Sequence, residues 1–255
     1  MDYSSQEFIS KIITILKAAR NKLLYPKNIV VESKARFNYV TNIDIKIQNY
    51  LTKELKELLP SSVVAEEGVN ETTSEYEWII DPIDGTTNYI RGFQYAISVA
   101  LAKNNKTVLG FVYDILKNDL YYGIEGKGAF VFKNNKLKQL ESLNNKKEYD
   151  DNIVIYGIPY DRSKSASIFK MAFDLSKVSS DVKRVGPAAL DICSVATGKT
   201  DIYFEYDLQE WDYQASLLIL KEVDGFFDRI NNLFIFTTKN KYKVFKECVD
   251  KEDIL

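Results

Sequence analysis

The sequence predicts a mixed α/β fold of the layered α+β type. Three observations carry this. Two stretches with helical apolar spacing stand near the start. Four short apolar runs separated by turn residues follow between Tyr95 and Phe132. From Asn152 onward, strand-like and helix-like segments alternate.

The elements follow in order. Ser5–Asn21 places Phe8, Ile9, Ile12, Ile13, Leu16 and Ala19 on one helical face, and Pro26 ends it. Asn28–Lys34 reads as a short strand or loop. Ile45–Leu59 is a second helix, with Ile47, Tyr50, Leu51, Leu55 and Leu58 inward and Pro60 at its end. Asp44 stands at its start, where capping and the helix dipole favour an acid. Ser62–Ala65 and Tyr76–Ile80 are strands. Tyr95–Lys103, Thr107–Tyr113, Leu120–Gly123 and Ala129–Phe132 form an antiparallel meander, with a hairpin at Asn104-Asn105. The polar stretch Lys133–Asp151 is a domain junction. It divides an N-terminal α+β part (1–140) from a C-terminal α/β part (150–255), the two acting as one catalytic unit. In the second part, Asn152–Tyr156, Asp181–Val185, Ile202–Glu205, Phe226–Asp228 and Leu233–Thr237 are strands. Ser163–Ser176, Gly186–Ala196 and Trp211–Val223 are helices. Pro187 occupies a first turn, and Gly198 caps the end of its helix. Lys239–Lys246 is a solvated helix face.

Composition narrows the function. The 255 residues are 45% hydrophobic and 27% charged, with a net charge of -2. This is a globular mix without the basic excess of a nucleic-acid binder. No apolar run reaches the roughly 18 residues of a membrane span. Met1–Gln6 lacks the basic start and apolar core of a signal peptide, so the expectation is a cytoplasmic protein. Cys193 and Cys248 are far apart and form no CxxC pair, and Cys193 reads as apolar filler. Histidine is absent altogether, which removes His-based triads, general bases and metal ligands.

One stretch organises the chain: Trp78-Ile79-Ile80-Asp81-Pro82-Ile83-Asp84-Gly85-Thr86-Thr87-Asn88. A buried strand end delivers Asp81, Pro82 stops the ladder, and Asp84 returns toward the same point. Gly85 permits a tight backbone, and Thr86 opens a helix. Carboxylates beside a helix N-terminus suit a hard divalent cation and a phosphate. An isolated Asp-Pro-x-Asp-Gly also fits a surface turn. Glu66-Glu67, at the end of a strand, also fits solvated surface.

Motifs spread along the chain decide between these readings. Asp44 in VTNID, Glu66-Glu67, WIIDPIDGTTN and WDYQA around Asp212, together with KRVGPAALDIC around Gly186, resemble the inositol monophosphatase family of metal-dependent phosphatases. The resemblance runs from about Val40 to Val223. It implies an αβαβα sandwich of the inositol monophosphatase and fructose-1,6-bisphosphatase type, often a homodimer. It implies two to three Mg²⁺ ions held by Glu66, Asp81, Asp84, Asp212 and the Ile83 carbonyl. Asp44, Glu66 and Thr86 become catalytic, orienting and activating a metal-bound water. The Gly85 and Thr86 amides hold the phosphate, and Asp84, Ala188, Glu205 and Asp212 meet the substrate. Trp78 and Trp211 read as packing that holds Asp81 and Asp212.

The implied activity is Mg²⁺-dependent hydrolysis of inositol monophosphate or a similar sugar or cyclitol phosphate. Thr87-Asn88-Tyr89 follows Asp-Gly-Thr where the nucleotide-phosphatase branch has Lys-Glu-Phe, which favours the inositol-type branch. Fructose 1,6-bisphosphate, 3′-phosphoadenosine 5′-phosphate and histidinol phosphate are the alternatives within the family. Pro187 departs from the family pattern by removing an amide N–H from the pocket, and Ser216 is a second, milder departure. A different class of role, binding to the transcription machinery, is also carried by some bacterial relatives. No membrane or nucleic-acid partner is expected.

Overall fold

The structure, a computed structural model, describes residues 2–26, 28–68, 74–145 and 152–249. Part of the predicted junction (146–151) and part of the loop after Gly68 (69–73) lie outside the described residues, as does Met1.

Ser5 caps α1 (Gln6–Leu24), its hydroxyl accepting from the Phe8 amide. A hairpin of an exposed strand, β1 (Val31–Ala35), and a strand with a buried end, β2 (Asn38–Thr41), leads into α2 (Asn42–Leu58). This helix starts earlier than its apolar period suggests, because Thr41 and Asp44 form a reciprocal capping box. β3 (Ser62–Ala65) and β4 (Tyr76–Asp84) pair in parallel. After α3 (Thr86–Arg91) comes the meander β5 (Ala96–Lys103), β6 (Lys106–Asp114), β7 (Asp119–Ile124), β8 (Gly128–Lys133) and β9 (Lys136–Gln139). These strands complete a seven-stranded sheet of order β3-β4-β5-β6-β7-β8-β9.

The polar stretch after Lys133 therefore does not start a junction but returns as β9. Its turn, Asn134-Asn135, has φ of 50° and 59°, and the predicted hairpin turn Asn104-Asn105 has 49° and 62°. Asparagine tolerates this left-handed backbone, and both turns reverse the chain in two residues, Lys103 facing Lys106 and Lys133 facing Lys136.

The second sheet has the order β11-β10-β12-β14-β13. It contains β10 (Asn152–Tyr156), β11 (Ser179–Lys183), β12 (Ile202–Tyr206), β13 (Phe226–Ile230) and β14 (Leu233–Thr237). Its helices are α4 (Ser165–Ser176), α5 (Ala188–Ala196), α6 (Glu210–Lys221) and α7 (Lys239–Cys248). Pro187 lies just outside α5, at the N-cap rather than within the first turn.

Three apolar clusters stack these elements into αβαβα layers. The first joins α1 and α2 to one face of the large sheet, through residues such as Ile12, Leu16, Leu51, Trp78 and Phe111. The second fills the middle, where α5 and α6 lie between the sheets with Ile192, Ile219, Tyr203 and Phe236. The third packs α4 and α7 on the outer face of the small sheet, around Met171, Phe204 and Phe245. α6 comes very close to the large sheet. A Cβ on Gly110 would lie 2.3 Å from the Ala215 carbonyl oxygen, and one on Gly123 would lie 3.1 Å from the Ile219 Cα. Two bare Cα atoms thus form the seat of this helix.

Candidate active site

The strand ends build the site. β3 ends at Ala65 opposite Ile80, so Glu66 emerges beside Asp81, its amide donating to the Ile80 carbonyl at 3.2 Å. Three positions apart on a regular strand, Asp81 and Asp84 would face opposite ways. They do not, because β4 carries a bulge. Asp81 pairs with Ser98 and Asp84 with Ala96, so three steps on one strand face two on the other. The extra residue restores Asp84 to the Asp81 face. Pro82 sits in the bulge, where a missing N–H costs no ladder bond. The ladder therefore bends at Pro82 and resumes through Asp84.

Gly85 then takes φ of 90°, a left-handed turn that starts α3. A Cβ there would also touch the Pro187 ring, at 3.0 Å from its Cβ, so the turn packs directly on the start of α5. Asp212 arrives from the first turn of α6. That turn is tied to the large sheet by Ser98, whose hydroxyl donates to the Trp211 carbonyl at 3.1 Å. Ser98 is also the cross-strand partner of Asp81. Trp78 is fully buried, its indole N–H donating to the Leu55 carbonyl at 3.2 Å beneath the strand that carries Asp81.

These residues line one cavity of about 530 Å³, within the usual size of a small-molecule site. Glu66, Asp81, Ile83, Asp84, Gly85, Thr86, Ala188, Glu205 and Asp212, all predicted from sequence, are among its walls. Asp44 lies behind Thr86, with no exposed surface. The Thr86 hydroxyl donates to Asp44 Oδ1 at 2.9 Å. Asp44 Oδ2 accepts from the Thr41 amide at 2.8 Å and from the Thr41 hydroxyl.

The carboxylates are turned toward internal donors. Asp81 accepts from the Ile83 amide at 2.9 Å, Asp84 from the Ala189 amide at 2.7 Å, and Asp212 from the Gln209 amide at 2.7 Å. Lys34, on the β1–β2 hairpin, bridges Glu66 at 3.0 Å and Glu67. As they stand, no three acidic or cysteine side chains among the described residues converge tightly enough to hold an ion.

Their electrostatics nevertheless call for a cation. Burial, and then the neighbouring carboxylates Glu66, Asp84, Asp212 and Asp44, hold Asp81 well above the ordinary range. Asp84 is raised likewise, first by burial and then by Asp212. Desolvation pushes Asp212 up to about 8, with Glu66 and Glu205 adding to it. Glu66 rises through burial despite Lys34. The donors available are oxygens alone, four carboxylates and the Ile83 carbonyl, the set a hard divalent ion prefers. The residues fit such an ion by charge and donor type.

Sequence reasoning missed several walls. Lys34 and Tyr160 line the cavity but stand in hairpin and loop segments that carry no local signal, and Arg184 lines it from the second position of the KRVGPAALDIC motif. Asp191 lies inside the KRVGPAALDIC motif, buried, with the Gly186 amide donating to it at 2.8 Å. Burial pushes it up to about 8. An acid at the fourth position of an apolar helix was the available signal. Cys193 is buried in α5, where burial pushes its thiol up, and it is a free thiol like Cys248. Ser216, the second departure from the family pattern, is buried and donates to the Tyr213 carbonyl at 3.1 Å. Among the described residues no helix is long and apolar enough to cross a membrane.

Known proteins share both the sequence and this architecture. A Xylella fastidiosa protein named Nus factor SuhB is 32% identical over 225 residues, which is 86% of this chain and 80% of that protein. An Aquifex aeolicus fructose-1,6-bisphosphatase/inositol-1-monophosphatase is 36% identical over 209 residues, 80% of this chain and 77% of its own. A solved IMPase/NADP phosphatase, complexed with Mg²⁺ and phosphate, superposes with a TM-score of 0.82 at 26% identity and covers 96% of both chains. A family model described as the inositol monophosphatase family matches residues 2–241. The αβαβα layering agrees with these likenesses, and the chain belongs to the inositol monophosphatase family.

Proposed function

We propose that the protein is a Mg²⁺-dependent phosphomonoesterase acting on inositol monophosphate or a similar sugar or cyclitol phosphate. The observation that carries the reading is the bulge in β4, which turns Asp81 and Asp84 to one face beside Glu66. Glu66, Asp81, Asp84, Asp212 and the Ile83 carbonyl would hold the ions. The chemistry that two to three Mg²⁺ ions would supply there is a lowered pKa for water, neutralised phosphoryl oxygens and a stabilised leaving alkoxide.

The chain's own residues supply position and proton handling. The Thr86 hydroxyl directs its proton to Asp44 Oδ1, leaving Oγ1 lone pairs to accept a proton from a water in the cavity. Asp44 is itself held by Thr41, so the orientation of the pair is set before substrate arrives. Gly85 and Thr86 offer backbone amides to the phosphate at the start of α3. Asp84, hydrogen-bonded to Ala189, links residues 1–140 to residues 150–255 as one catalytic unit. Ala188 and Glu205 form the wall for the leaving group, and Thr87-Asn88-Tyr89 favours a polyol over a nucleotide. A cytoplasmic homodimer completes the reading.

Phosphate release from myo-inositol 1-phosphate, fructose 1,6-bisphosphate, 3′-phosphoadenosine 5′-phosphate and histidinol phosphate tests it. Preference for the inositol ester, abolished by chelation, is expected. No release from any of them with Mg²⁺ present and the protein folded overturns the reading. The name of the Xylella fastidiosa relative, Nus factor SuhB, supports a second role in binding transcription machinery. Co-purification of RNA polymerase or its elongation factors, unaffected by Asp84→Asn, is the outcome that role requires.

A further inference from the structure

On β12, Tyr203 and Glu205 are two residues apart and share the face turned toward the middle layer. Tyr203 is fully buried and stacks on Phe236, with ring centroids 5.7 Å apart. Its hydroxyl reaches along the strand and donates to Glu205 Oε2. Oε1 has no hydrogen-bond partner among the described residues. On the other side lies the end of β10. The Gly157 amide donates to the Phe204 carbonyl at 3.0 Å, which extends the ladder one residue past Tyr156. A Cβ on Gly157 would lie 1.8 Å from Oε2, 2.0 Å from Cδ and 2.5 Å from Oε1 of Glu205. The carboxyl group thus lies flat on a bare Cα, pinned at one oxygen from below.

We infer that Tyr203 and Gly157 are positioning residues that hold Glu205 as a hydrogen-bond acceptor for a hydroxyl of the substrate's leaving group. The inference rests on the phosphatase reading above. Tyr203 takes one lone pair of Oε2, so Oε1 is the oxygen whose acceptor capacity is wholly left for ligand. A carboxylate oxygen accepts from an O–H, so this wall selects a leaving group that carries a hydroxyl. A site built to bond a hydroxyl discriminates against esters that lack one, because its acceptor is then left unpaired.

The test compares the better of myo-inositol 1-phosphate and fructose 1,6-bisphosphate with p-nitrophenyl phosphate, whose leaving group carries no hydroxyl. Full-length wild type, Tyr203→Phe, Gly157→Ala and Glu205→Ala are assayed with Mg²⁺, and thermal melting reports folding. Tyr203→Phe deletes one oxygen and keeps the ring. Gly157→Ala pushes only the flexible tip of Glu205 and leaves the ladder intact. Each is expected to raise KM for the polyol ester about tenfold with a smaller change in kcat, and so to lower the polyol-to-aryl ratio of kcat/KM about tenfold. In the Glu205→Ala background neither change should lower that ratio further. Equal losses on both esters, an unchanged ratio, or effects that persist without Glu205 overturn the inference. A wild type that hydrolyses neither ester overturns the phosphatase reading itself.

Discussion

Thr86 Oγ1 lies 2.9 Å from Asp44 Oδ1, joining residues 42 positions apart. The contact is buried, and both side chains are oriented from behind, Asp44 by the Thr41 capping box and Thr86 by the start of α3. Removing the Thr86 hydroxyl while keeping its shape, as Thr86→Val does, should lower kcat by about 10²-fold with little change in KM, the scale of a lost proton-transfer partner. Steady-state kinetics on the preferred ester checks this. A kcat within about threefold of wild type would remove Thr86 from the catalytic group.

Asp84 combines two functions that separate on mutation. Its carboxylate accepts from the Ala189 amide, and it adds negative charge to a crowded cavity. Asp84→Asn keeps an acceptor for Ala189 but removes the charge. Turnover should fall by at least about 10²-fold, since a lost ion ligand costs several kcal/mol of charge stabilisation. The chelated variant should melt higher than chelated wild type, because one buried like-charge contact is gone. Near-wild-type turnover refutes the assignment of Asp84.

Much of this was legible in the sequence, for physical reasons that differ by element. Helical period placed α1 and α4, because their buried faces are regular. Two acids around a proline, with Gly and Thr following, carried the heart of the site. The bulge itself was not legible. Three-residue spacing and Pro82 suggested that the strand ends, whereas cross-strand pairing with Ala96 restores it. β9 was hidden by its polar, fully exposed residues, since an edge strand buries no alternating face. Its Asn134-Asn135 turn repeats the signal that did reveal the Asn104-Asn105 hairpin. Lys34 reaches the cavity through tertiary folding alone.

Gly110 makes the seat of α6 testable. A methyl group there meets the Ala215 backbone rather than a side chain that can swing away. Gly110→Ala should destabilise the fold by about 1–3 kcal/mol, the usual cost of overpacking, measured by urea denaturation. α6 carries Asp212 in its first turn, so the displaced helix should also raise the Mg²⁺ concentration needed for half-maximal activity. A variant as stable as wild type, with unchanged Mg²⁺ dependence, would show that the helix can shift without cost.

The crowded acids also predict how stability responds to pH and to Mg²⁺. Asp81 and Asp84 stand well above the carboxylate range, Asp212 and Asp191 at about 8 and Glu205 at about 7, each chiefly through burial. In the unfolded chain such groups titrate near about 4. Between these limits the folded protein binds more protons than the unfolded one, so stability decreases as pH rises. The contribution is complete below about pH 4 and is lost as pH passes through about 8. Among these acids alone, chelated protein should therefore melt lower at pH 8.5 than at pH 6.5, by at least about 3 °C, the shift that about 1 kcal/mol produces in a chain of this size. On the proposed assignment Mg²⁺ binds the ionised carboxylates of the folded state, so its stabilising effect should be larger at the higher pH. Thermal melting at both pH values, with chelator and with saturating Mg²⁺, measures both slopes. A chelated protein whose melting temperature rises with pH, or a Mg²⁺ effect that is larger at pH 6.5, would mean that the acids of the cavity do not share the buried negative charge assigned to them.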